Sequence, residues 1–282
     1  MKRLLLVDGH NLLFRMFYGM PDHFRTRSGA RYNAVYGFAN AMAAVTDALR
    51  PTHALVLFDT EECGDRRKLD AKYKANRPDW SEVPPDEIPF TQLPAIRRLL
   101  DACSVPYADA RGCEADDLIA SYALNAGRDW DVRILSTDRD YWQLVGERIS
   151  VVRYQGGTFE TVTPGTVAEK YGVRPDQFAD WKCLVGDSSD NIAGAPGVGP
   201  KTAAALLTEF GTLDALLERL DEVPKARIRS SIAGSRERLV LNRKLILLEG
   251  TASLPLPHDA LVYEPSFPRN LLTLARQAAE TE

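Results

Sequence analysis

A chain of 282 residues, 45% hydrophobic and 26% charged, has the make-up of a folded globular protein, long enough for one large domain or two smaller ones. Its longest apolar runs, LLLV and ALVLF, are too short to cross a bilayer, and MKRLLLVDGH has four apolar residues before its first acid, so neither a membrane span nor a signal peptide is expected. The formal charge of −4 argues at first sight against a nucleic-acid partner, but its distribution reverses that. Arg66–Arg77 carries six basic residues against one acid, Asp70, and Lys225–Lys244 carries seven against Glu237. Solvated helix faces give such runs, but a negative total with two basic stretches also fits an acidic pocket flanked by phosphate-binding surfaces. Cys63, Cys103, Cys113 and Cys183 lack C-x-x-C spacing, as expected of reduced thiols in a cytoplasmic protein.

Along the chain, short apolar strands are expected at Arg3–Val7, His53–Phe58, Val105–Tyr107, Val132–Ser136 and Ile149–Tyr154. Helical patterns lie between them at Asn33–Leu49, Asp86–Ala102 and Glu114–Ala126. This alternation reads as βαβ units around a mostly parallel sheet. Gly156-Gly157, between alternating runs, marks a hairpin at the sheet edge. Thr60–Trp80 is charged and has no apolar stripe; with the Pro-rich exit Val83–Pro89 it reads as a mobile loop or arch. After about Thr163 the strand signal stops. Helices are expected at Pro164–Tyr171, Pro175–Val185, Pro200–Phe210, Leu213–Leu220 and Ser235–Leu248, with Pro164, Pro175 and Pro200 at first-turn positions and Gly172 and Gly211 at helix ends. The division expected is an α/β core over 1–165 with the arch at about 60–90, a helical subdomain over 166–255 and an extension over 256–282.

Nine acids fall in five short clusters: Asp8; Asp59; Glu114, Asp116 and Asp117; Asp138 and Asp140; Asp187 and Asp190. A lone Asp after a strand is ordinarily a cap or turn residue, and Asp116-Asp117 could simply favour the positive end of a helix dipole. Five such clusters are hard to obtain from capping alone. Carboxylates gathered in one pocket repel one another, and divalent cations remove the conflict. A pocket without His or Cys ligands suits Mg²⁺ or Mn²⁺ and phosphodiester chemistry rather than zinc hydrolysis. Asp138 and Asp140 alternate along an extended exit from a strand, while Glu114/Asp117 and Asp187/Asp190 are each three apart, so each pair could hold one ion. No Ser–His–Asp arrangement is evident, and His10 reads as a capping or packing residue.

GAPGVGPKTAAALL, Gly194 to Leu207, superficially resembles a P-loop, but Pro200 separates Gly199 from Lys201 and no strand precedes it. The alternatives are a plain helix–helix turn or a helix–hairpin–helix, whose glycines let backbone amides approach a phosphate and read the DNA backbone without its sequence.

In order, VDGHNLLFR (7–15), NAVYGF (33–38), LFD (57–59), YKANR (73–77), EADD (114–117), STDRD (136–140), GDSSDN (186–191) and GVGPK (197–201) resemble the bacterial 5′-nuclease, or flap endonuclease, family over roughly residues 3–250. The resemblance implies a PIN-like α/β fold with a helical arch and a helix–three-turn–helix subdomain. It implies two or more Mg²⁺ or Mn²⁺ ions on all nine carboxylates, catalytic roles for Lys74 and Arg77 beside Asp8 and Asp59, and DNA contacts from Arg66, Tyr73, Gly197, Gly199, Lys201 and Thr202. It also implies K⁺ at the carbonyls of Ala195 and Val198, although Gly194 stands where some members add a hydroxyl. The expected enzyme is a monomeric, cytoplasmic, nucleoid-associated 5′-3′ exonuclease and flap endonuclease. It would act on DNA with 5′ flaps, nicks or ends, and on RNA primers in RNA–DNA hybrids. A PIN-type ribonuclease and a non-catalytic DNA-junction binder compete with this reading. GVGPK and the second basic stretch argue against the first, and the intact Asp140, Asp187 and Asp190 argue against the second.

Overall fold

The computed structural model describes residues 1–60, 65–264 and 267–280. Strands β1 (Lys2–Asp8), β2 (His53–Asp59), β3 (Tyr107–Ala110), β4 (Trp130–Leu135) and β5 (Ile149–Gln155) are parallel in the order β3-β2-β1-β4-β5, and β6 (Thr158–Val162) closes one edge antiparallel to β5. The expected hairpin turns at Gly156-Gly157. Parallel strands need both faces covered. Alternation along β1 does this: Leu4 and Leu6 enter one core, Leu5 and Val7 the other, and all four are fully buried.

Five helices accompany these strands: α1 (Gly9–Gly19), α2 (Asn33–Leu49), α3 (Asp65–Leu69), α4 (Leu93–Ala102) and α5 (Ala115–Leu124). The second half supplies α6 (Pro164–Tyr171), α7 (Phe178–Val185), α8 (Pro200–Phe210), α9 (Leu213–Glu218), α10 (Ala226–Gly234), α11 (Arg236–Ile246) and α12 (Leu271–Glu280). α1, α2, α4 and α12 cover the Leu5/Val7 face. On the other face one apolar core runs from β1 through α5 into α7, α8, α9 and α11. Between β1 and β4 the strand order reverses, and the crevice at their carboxyl ends is where open α/β sheets receive ligands. No described helix is long and apolar enough to cross a membrane.

Several elements depart from expectation. α1 begins where Gly9, His10 and Asn11 weaken the helical signal, because Asp8 caps it by accepting the Asn11 N–H at 3.0 Å. The helix expected over 86–102 begins only at Leu93. Pro89 forces Ile88 into extended backbone, and two short 3₁₀ turns replace the first stretch. β3 lies further along than Val105–Tyr107; it is an edge strand, so polar Asp109 is tolerated and the apolar pattern misleads. The strand signal does not end at Thr163, since β7 (Gly186–Asp187) and β8 (Ile192–Ala193) form a two-residue antiparallel pair.

Candidate metal centre

Asp8 and Asp59 end the neighbouring strands β1 and β2. Asp8 spends Oδ1 on the α1 cap, and its Oδ2 accepts from Ser136 Oγ at 2.9 Å and Tyr141 Oη at 3.3 Å. The Tyr141 hydroxyl also donates to Asp116. Asp8, Asp116 and the adjacent Asp138 thus crowd around one buried phenol. Burial pushes all three carboxyls above the usual range, aided by repulsion from Asp59 at Asp8, from Asp138 and Asp8 at Asp116, and from Asp140 and Asp8 at Asp138, which rises to about 7. Asp59 is different. Burial opposes its ionisation, but contact with His10, the Ala115 N–H at 2.7 Å and the Lys74 charge together hold it below the usual range. His10 packs against the rings of Phe58 and Phe90, and its Nδ1 lies 3.0 Å from the Asp59 backbone nitrogen and 3.3 Å from an Asp59 carboxylate oxygen, so it positions that residue.

Asp138 and Asp140 do not alternate along a strand, because β4 ends at Leu135. Asp138 receives the Asp140 N–H at 2.9 Å, and Asp140 opens the 3₁₀ turn Asp140–Leu144. That turn separates them: Asp138 joins the Asp8/Asp116 group, and Asp140 joins Asp187 and Asp190. The last three each place one oxygen within 4.8 Å of the others. Asp187 ends β7 and Asp190 lies in the following turn. Just past β8 the chain packs against the end of α7 with no side chain between them: a Cβ on Gly194 would meet the Leu184 carbonyl and lie 2.5 Å from the Gly186 nitrogen, and the Ala195 N–H donates to that carbonyl at 2.9 Å. Gly186 itself takes φ +88°, a conformation side chains disfavour. Lys182, on α7, pairs with Asp140 and lies 2.5 Å from Asp187. Burial opposes its charge, yet the two carboxylates hold its pKa above the ordinary lysine value. Neither Lys182 nor Tyr141 was found from the sequence: Lys182 lies in an expected helix and Tyr141 just past an expected strand, and neither carries a mark of the carboxylates it faces. A cavity of about 510 Å³ opens beside the trio, lined in part by Lys182, Arg139, Asn11 and Trp181.

Glu114 and Asp117 form a reciprocal capping box on α5. They also receive the arch. Arg66 grips Asp117 through two nitrogens at 2.9 and 2.6 Å and Glu114 at 2.9 Å, while Lys74 Nζ and Tyr73 Oη reach the same Glu114 oxygen at 2.8 and 3.1 Å. The stretch read as a mobile loop is therefore tied down from Arg66 onward, with Tyr73 in the core despite the lack of an apolar stripe. Its residues 61–64, Cys63 among them, lie outside the described residues. Lys74 has φ +55°, and Arg77 reaches Asp190 at 3.5 Å while remaining half exposed.

In the GVGPK loop, Gly197 takes φ +78°, Pro200 opens α8, and Lys201 is exposed in its first turn beside the half-buried Thr202. The Ala195 carbonyl accepts the Val198 N–H at 3.0 Å. Neither Gly197 nor Gly199 has an atom within 4 Å of where a Cβ would stand, so both leave open space before α8.

Residues 3–172 match the family model for the N-terminal, resolvase-like domain of 5′-3′ exonucleases, and residues 173–268 match that for their C-terminal SAM fold. These matches define the class, enzymes that hydrolyse phosphodiester bonds. The chain belongs to the 5′-3′ exonuclease family. It is 38% identical over 294 residues to DNA polymerase I of Rhizobium leguminosarum, covering 98% of this chain and 28% of that protein. The chain thus spans less than a third of the length of the curated relatives it matches. Among solved structures it resembles the phage T5 5′-exonuclease with bound divalent zinc (TM-score 0.74, 23% identity, 99% of both chains). It also resembles the bacteriophage T5 flap endonuclease in a pseudo-enzyme-product complex with DNA and metal ions (TM-score 0.74, 22% identity, 99% and 98% of the chains). At these identities the likeness establishes the fold. Both halves of the chain are thus matched by 5′-3′ exonuclease models.

Proposed function

We propose that the chain is a divalent-metal-dependent 5′-3′ exonuclease and structure-selective flap endonuclease of DNA. The observation that carries this reading is the convergence of Asp140, Asp187 and Asp190 within 4.8 Å, beside the Asp8/Asp116/Asp138 group. The donors are all carboxylate oxygens, and buried carboxyls with raised pKa are what such a pocket would display when its charge is uncompensated. Both facts fit two or more Mg²⁺ or Mn²⁺ ions, with Glu114 and Asp117 as outer carboxylates gripped by the arch. Bound there, the ions would supply charge neutralisation for an in-line displacement at phosphorus. The chain's own residues do the rest. Tyr141 and Ser136 orient Asp8, and His10 and the Ala115 N–H orient Asp59. Lys74 and Arg77 present an ammonium and a guanidinium to the non-bridging oxygens of the scissile phosphate.

Substrates are proposed to be DNA with 5′ flaps, nicks or ends and RNA–DNA hybrids, held by the Gly197–Thr202 segment; Tyr73, buried in the core, and Arg66, paired with Glu114 and Asp117, hold the arch instead of the DNA contacts the resemblance implied. We assign the core to 1–165, the DNA-binding helices to 166–255 and an extension to 256–282, acting as a monomer on nucleoid DNA in the cytoplasm. K⁺ would take the carbonyls of Ala195 and Val198 without a side-chain hydroxyl, since backbone fills the space beside Gly194. Cleavage of flap, nicked and single-stranded substrates with and without Mg²⁺ tests the proposal. Metal-independent cleavage, or none on any substrate, would reject it.

A further inference from the structure

We infer that Lys182 is the resident counter-ion of the second carboxylate trio, holding the place of a divalent cation until one displaces it. This rests on the reading of Asp140, Asp187 and Asp190 as a metal site. Lys182 is 6% exposed, and its ammonium reaches two of the three carboxylates. Three carboxylates that close cannot stay ionised without compensation; the buried ammonium supplies one positive charge at Asp140 and Asp187, and the half-exposed Arg77 a second, 3.5 Å from Asp190. The pair differs from an ordinary buried ion pair in two respects. Its acceptors converge with a third carboxylate on a common point, and the lysine also lines the 510 Å³ cavity beside them. A flexible four-carbon stem can withdraw into that space, which a guanidinium fork fixed by several bonds would do less readily. A cation entering between the same oxygens competes with the ammonium. The DNA-free protein therefore binds its second ion weakly, and phosphate oxygens from substrate complete the exchange. Metal loading is coupled to DNA binding.

The test is Mn²⁺ binding to the full chain without DNA, read from the electron paramagnetic resonance of free Mn²⁺. It compares the parent chain, Lys182→Met and Lys182→Gln, each with and without Asp140→Asn. Gln keeps a hydrogen-bond donor near the carboxylates, so it decides the matter if the Met variant does not fold. A neighbouring unit charge moves ionic affinities by roughly 10-fold to 1,000-fold, so the Asp140-dependent binding is expected to tighten by about tenfold or more in both neutral variants. Their gain in melting temperature on adding Mn²⁺ is expected to exceed that of the parent. If Asp140-dependent binding is unchanged or weaker in them, Lys182 is a fixed structural partner and the inference falls while the metal site stands. If no variant binds Mn²⁺ through Asp140, both fall.

Discussion

The backbone N–H of Lys74 donates to the carbonyl of Asp190 at 3.0 Å, so a residue of the arch and a residue of the second carboxylate trio move as one. Asn76 and Asn191 reinforce the join by donating to the carbonyls of Ser188 and Lys72, at 3.0 and 2.8 Å. The arch therefore sets the distance between its cations and the carboxylates. Its Lys74 backbone sits in the left-handed region, a strain that surrounding bonds must hold.

Lys74→Ala and Arg77→Ala are each expected to lower the single-turnover cleavage rate far more than they weaken binding. One preorganised electrostatic contact is worth on the order of 10²–10³ in rate. Glu114 keeps Arg66 and Tyr73 as partners after the Lys74 change, so the fold should survive. If either variant shifts only the dissociation constant and its salt dependence, that residue merely positions DNA.

Gly194→Ala is expected to destabilise the protein by about 1–3 kcal/mol, the usual range for overpacking. The added methyl would meet the backbone of Leu184 and Gly186. Gly199→Ala serves as the control, because φ is −90° and nothing lies within 4 Å of the new atom. Urea midpoints compare the two. Equal effects would mean that the close approach of Gly194 to the end of α7 does not hold the Asp187–Asp190 turn.

Stability without metal should fall as pH rises. The folded pKa values of Asp8, Asp116 and Asp138 are raised, chiefly by burial, so what their protonated forms contribute is complete below the ordinary carboxylate range. It is lost as pH rises through the folded values, that of Asp138 being about 7. In EDTA the urea midpoint is expected to be lower at pH 8 than at pH 6, and Mg²⁺ should narrow the gap. Asp138→Asn should flatten the EDTA profile. A profile that rises from pH 6 to 8 in EDTA and ignores Mg²⁺ would contradict the crowding argument.

Lys201→Ala is expected to weaken binding to a nicked duplex and to reduce the slope of log affinity against log salt by about one unit, the share of one phosphate contact. Short single strands should be little affected. Equal losses on both would make the loop a structural turn alone.

Much of the sheet was legible because buried parallel strands read as continuous apolar runs, as in LLLV and ALVLF. Prolines and glycines likewise marked α6 and α8, whose bounds agree with expectation. What escaped was decided by tertiary partners. α1 depends on the Asp8 cap, β3 on pairing with β2 alone, and the regrouping of Asp138 and Asp140 on a turn after β4 that period-two reasoning treats as strand. The five acid clusters stand in the sequence, but it could not show that Asp140, Asp187 and Asp190 would share a point in space. Lys182 and Tyr141 were unreadable, since a lysine in an expected helix and a tyrosine just past an expected strand carry no mark of the carboxylates they will face. The arch misled in the opposite sense, because its Arg66 and Lys74 are paired with Glu114 and Asp117 from a distant part of the chain.

The most direct measurement is the single-turnover rate of cleavage of a 5′-flap DNA by the parent chain and by Asp140→Asn, at saturating Mg²⁺ and in EDTA, with affinity measured alongside. The expected result is Mg²⁺-dependent cleavage by the parent chain. Asp140→Asn should retain most of its DNA affinity, because that comes from the basic surfaces, and should lose nearly all cleavage. Near-normal turnover by Asp140→Asn at saturating Mg²⁺ would contradict the assignment of the Asp140/Asp187/Asp190 trio as a catalytic metal centre.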